Sequence, residues 1–89
     1  MRFANDVVPE ALNRLRRAEG QVGGVIRMLE EGRDCTEVIH QIAAARSALD
    51  RVGLRLLSTQ LQHCLSDGEA ADGEGYDPER FERLFLLLT

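Results

Sequence analysis

Two long apolar seams decide what this chain can fold into. Val8, Leu12, Leu15, Glu19, Val22, Ile26 and Leu29 alternate steps of four and three, with one charged interruption at Glu19. Only a helix brings positions so spaced onto one face. Cys35, Val38, Ile42, Ala45, Leu49, Val52, Leu56, Thr59 and His63 repeat the pattern, a heptad-like stripe. The punctuation agrees with the periodicity. Pro9 fits only the first turn of a helix, Gly32 reads as the residue just past a helix end, and Asp34 as the N-cap of the next helix. The spacing predicts α1 over about residues 6–31 and α2 over about 35–66.

Additional apolar residues at Ile39, Leu54, Leu57 and Leu61 widen the second stripe beyond a two-helix seam, so α2 needs more than one partner. Gly53 weakens the middle of that helix by about 1 kcal/mol relative to Ala and marks a place where another helix could come close. Residues 67–76 are acidic and glycine-rich without period, which predicts a loop. Asp77-Pro78 then opens a short α3 over about 78–88, with Phe81, Leu84, Phe85 and Leu88 on one face. No strand signal occurs. The expected fold is all-α: a long α1–α2 antiparallel hairpin plus a short α3, in a single domain over residues 1–89.

At 89 residues and 44% hydrophobic content, the chain is an ordinary folded domain rather than a disordered or disulfide-rich one. A domain this small gains much by burying surface against a copy of itself. Its net charge is −4, yet residues 1–55 hold 9 Arg against 8 acids and residues 56–89 hold 2 Arg against 7. A nucleic-acid surface therefore belongs to the first two helices. No segment has the apolar length of a signal peptide or membrane span. A cytoplasmic protein with no membrane partner is expected, and in that reducing compartment Cys35 and Cys64 are free thiols, redox sensors or metal ligands rather than a staple. The plain structural alternative is that both are small buried apolar residues.

The two cysteines lie 29 residues apart, about 44 Å along a helix, and the rotation over that step returns both to nearly the same face. If this face packs antiparallel on a copy about a two-fold axis, the midpoint falls at Leu49/Asp50 and Cys35 of one chain meets Cys64 of the other. Gln60 sits one turn before Cys64 on that face. His40 and His63 point away from it and are not obvious further ligands.

The run Arg14-Leu15-Arg16-Arg17-Ala18-Glu19-Gly20-Gln21-Val22-Gly23-Gly24-Val25, with Met28 and the Cys35/Cys64 spacing, resembles the copper-sensitive operon repressor (CsoR-type) family over roughly residues 6–66. The resemblance implies a four-helix-bundle dimer, a dimer-of-dimers tetramer, and a repressor that leaves operator DNA when effector occupies the intersubunit site. Copper sensors of that family have His where this chain has Gln60, and commonly Tyr where it has Asp34. Nickel/cobalt sensors need histidines at the positions of Phe3, Gln60 and Cys64, and formaldehyde sensors an N-terminal Pro where Arg2 follows Met1 here. A dithiol without its imidazole is similar to the persulfide-sensing (CstR-like) branch, in which one thiolate attacks a persulfide or polysulfide and the second resolves it. Cys35, at a helix N-terminus whose dipole favours negative charge, is the expected attacking thiol, and Cys64 resolves. Asp34, next to Cys35, opposes thiolate formation there, so the two roles could be exchanged.

The expectation is thus a reactive-sulfur-responsive repressor acting through Cys35 and Cys64 of the partner subunit, with Asp34 and Gln60 as site neighbours and no cofactor. The alternative is a Cu(I)-responsive repressor using the same two thiols. A helical thiol-containing interaction protein without DNA binding is a third reading, suggested by the negative charge. Arg14 and Arg51 match family positions implicated in operator binding, with Arg16, Arg17 and Arg55 as phosphate contacts. No acid/base pair, phosphate loop or hydrolytic triad can be placed, so an enzyme is not expected.

Overall fold

The computed structural model describes residues 1–67 and 76–89. Three helices follow in order, α1 (Val8–Glu30), α2 (Cys35–Asp67) and α3 (Pro78–Leu87), and no strand occurs among the described residues. α1 begins two residues later than the periodicity suggests. The Val7 N–H donates to the Ala4 carbonyl at 3.0 Å, so a turn precedes the helix. Of the expected 67–76 loop, residues 68–75 lie outside the described residues. No helix is long and apolar enough to cross a membrane among the described residues.

Local chemistry sets the boundaries. Gly32 adopts φ 66°, where a side chain would clash. Its N–H donates to Leu29 O at 3.2 Å and that of Arg33 to Met28 O at 2.9 Å, which together make a Schellman close. Asp34 accepts from the Thr36 N–H at 2.9 Å, satisfying one of the open donors at the start of α2. Asp77 accepts from the Arg80 N–H at 3.3 Å ahead of Pro78.

The first half of α2 packs antiparallel on α1. Val38, Ala45 and Val52 are buried at seven-residue steps, with Ala18 of α1. Gln41 Nε2 donates to the Gln21 carbonyl at 3.2 Å across the same seam. The other heptad positions point outward: Ile42 is 45% exposed, Leu49 48% and Ile26 55%. A Cα radius of gyration of 16.5 Å, against about 12 Å for a compact chain of this length, describes the same plank. One chain leaves a continuous apolar stripe uncovered.

Beyond Val52 the cover of α2 changes. α3 folds back over it, burying Phe81 against Leu57 and Cys64, with Met1, Leu61, Leu84, Phe85 and Leu88 around them. The Tyr76 ring lies 5.8 Å from that of Phe81. At the other end of α3, a Cβ on Gly53 would stand 3.0 Å from Leu88 Cδ2, so the close approach expected at Gly53 is made by α3. A larger side chain there must displace the Leu88 side chain. Gly53→Leu is expected to lower stability by about 1–3 kcal/mol through overpacking, measured as a reduced urea midpoint, and Asp77→Ala by about 1 kcal/mol through the lost cap.

Candidate functional site

Cys35 is the first residue of α2 and is exposed, directly after the capping Asp34. Cys64 lies at the far end of the same helix and is 1% exposed. The two do not meet within one chain, as the sequence spacing requires. Their surroundings, however, differ. Periodicity places both thiols on one face available to a second subunit, whereas Cys64 is closed in by its own chain. The buried residues of α2 run 38, 45, 52 and then 57, 60, 64. That five-residue step turns the covered face from α1 toward α3 and the N-terminal segment.

Gln60 is fully buried and completely engaged. Its Oε1 accepts from the Ala4 N–H at 2.8 Å. Its Nε2 donates to the Arg2 carbonyl at 3.0 Å and faces Cys64 Sγ at 3.8 Å. A buried amide must be satisfied or it costs about 1–3 kcal/mol, and here residues 2–4 satisfy it. An amide so held is a structural clamp beside the thiol, not an open ligand. His63 is likewise occupied, its Nε2 3.2 Å from Asp6 Oδ1. Among the described residues of one chain, no three His, Cys, Asp or Glu side chains converge as a metal site would require.

The arginines divide. Arg14, Arg17 and Arg51 surround one shallow depression between α1 and α2, and Arg14, Arg51 and Arg55 surround its neighbour. Four of the five arginines expected to contact DNA therefore share one face. Arg16 is exposed and lines neither depression. A residue that sequence reasoning passed over stands among them: Glu10 Oε1 is 3.2 Å from Arg14 Nη2 and 2.9 Å from Arg55 Nη2. The four-residue spacing of Glu10 and Arg14 was a visible signal. The reach to Arg55 across the helix pair was not. These groups are all about half exposed, so each pair contributes at most about 1 kcal/mol.

Comparison with known proteins gives this arrangement its context. The copper-sensing transcriptional repressor RicR of Mycobacterium tuberculosis is 50% identical over 64 residues, which is 72% of this chain and 67% of the relative. The copper-sensing transcriptional repressor CsoR of Bacillus subtilis is 43% identical over 63 residues, 70% of this chain and 62% of its own. That of Mycobacterium ulcerans is 42% identical over 65 residues, 73% and 55%. The chain thus matches between about half and two thirds of the length of these relatives. No solved structure matches. The profile of the metal-sensitive transcriptional repressors covers residues 8–88, nearly the whole chain and all three helices, and the chain belongs to that family of repressors, which are not enzymes.

Proposed function

We propose that this protein is an operator-binding repressor that assembles through its bare apolar stripe and responds to Cu(I) held between Cys35 of one subunit and Cys64 of the partner subunit. The observation that supports the reading is the placement of two thiols at opposite ends of a single helix, combined with an uncovered heptad face along which a second copy can lie antiparallel. Copper as the effector follows the names of the relatives, and it displaces reactive sulfur as the leading choice. The donor chemistry fits, because two thiolates suit the soft Cu(I) ion. Gln60 adds no third donor, its amide being committed to Ala4 and Arg2. When bound, the ion would be held by Cys35 of one subunit and Cys64 of the partner subunit and would supply a crosslink that favours the arrangement of subunits satisfying both thiolates.

The second reading, a persulfide or polysulfide effector, is favoured by that same engagement of Gln60, which leaves a dithiol alone. One experiment separates the two. Operator binding is followed by fluorescence anisotropy with Cu(I) delivered from a chelator of known affinity. Copper is expected to weaken binding roughly 5–150-fold, the usual range of allosteric coupling, and Cys35→Ser or Cys64→Ser to abolish the response. If copper has no effect and polysulfide instead yields a crosslinked dimer heavier by steps of ~32 Da on intact-mass spectrometry, sulfur is the effector.

The basic face provides a second test. Operator binding without effector is expected to weaken on Arg14→Ala and on Arg51→Ala, each reducing the slope of log affinity against log salt by about one per subunit contact. Glu10→Gln is expected to act oppositely, tightening binding by releasing Arg14 and Arg55 to phosphate. Unchanged salt slopes in both arginine variants would place the DNA elsewhere.

A further inference from the structure

We propose that residues 1–7 form a strap that regulates access to Cys64, latched by Gln60. The strap crosses α2 immediately beside the thiol and is fastened at three points: the Ala4 N–H on Gln60 Oε1 at 2.8 Å, the Arg2 carbonyl on Gln60 Nε2 at 3.0 Å, and Asp6 Oδ1 against His63 Nε2 at 3.2 Å. Ala4 is buried at 4% exposure, and Met1 packs against the cluster that contains Cys64. Two of the three contacts of the Gln60 amide thus go to the strap, and the third is to the thiol one turn along α2.

Two physical points turn this contact into a gate. A segment held by a few side-chain bonds opens locally far more often than a helix of 33 residues unfolds. The strap is therefore the low-cost route to a thiol that the closed chain leaves 1% exposed. Gln60 also couples the two events. Its Nε2 both anchors the strap and lies 3.8 Å from Cys64 Sγ, so a thiol drawn toward an effector disturbs the latch, and a loosened latch frees the thiol. Cys35, exposed at the opposite end, has no such cover. The two halves of the site are loaded unequally, the open thiol first and the guarded one second.

The importance of the gate rests on Cys64 being an effector thiol, but its test needs neither copper nor DNA. Alkylation by iodoacetamide is followed at each cysteine by peptide mass spectrometry on the reduced full chain with an untagged N-terminus. Ala4→Arg, which expels the strap without altering α2, and Gln60→Leu, which keeps the volume and removes the latch, are each expected to accelerate labelling of Cys64 about 10-fold, the size of one or two lost hydrogen bonds. The rate at Cys35 is expected to stay within about two-fold. Helical circular dichroism confirms that both variants are folded. Equal acceleration at both cysteines would mean general loosening and overturn the proposal. So would an unchanged Cys64 rate in folded strap variants alongside acceleration in Gly53→Leu, since α3 would then be the cover that matters.

Discussion

The whole structure depends on one helix of 33 residues being covered by different partners along its length. α1 covers the first half through Ala18, Val38, Ala45 and Val52, where small side chains let two helices lie close. α3 and the N-terminal segment cover the second half through Phe81, Leu57 and Gln60. Neither cover is complete, and the residual apolar stripe is what a second copy would bury. Because the change of cover falls between Val52 and Leu57, Cys35 stays at an open end while Cys64 lies beneath its own chain.

Electrostatics follow from the same hairpin. Folding α1 back on α2 brings Arg14 and Arg17 beside Arg51 and Arg55, a concentration of positive charge that the net charge of −4 conceals. Glu10 sits inside this group and engages two of the four. It keeps the basic face from being wholly unpaired, through pairs exposed enough that each contributes little. At the turn between the helices, Arg33 lies between Glu37 at 3.1 Å and Glu31 at 3.4 Å. The hydrogen bond to Glu37, the larger influence, raises its already high pKa further. This is local bracing of an exposed corner.

Gln60 best shows how far residue types carry a reading. From the sequence it is a defect, an amide where an imidazole would complete a copper site, and that substitution turned the expectation toward reactive sulfur. In the fold it is the most buried polar side chain and the fastening point of the N-terminus. A missing ligand and an added clamp are the same residue, and only the second role explains why a glutamine, with one donor and one acceptor end, stands there.

What the chain determined by itself is local. The ends of the helices follow from Pro9, through its fixed φ, and from Gly32, Asp34 and Asp77, whose hydrogen bonds reach at most a few residues. The length of α2 and the separation of its thiols follow from a periodicity readable along the chain, and the motif around Arg14 to Val25 carried the family. Tertiary structure alone decided which side of α2 is covered at each point, that Phe81 closes over Cys64, that Ala4 meets Gln60 across 56 residues, and that Arg55 reaches Glu10. A helical repeat specifies which residues share a face but not what packs on it. That choice is made by shape and burial between segments far apart in sequence.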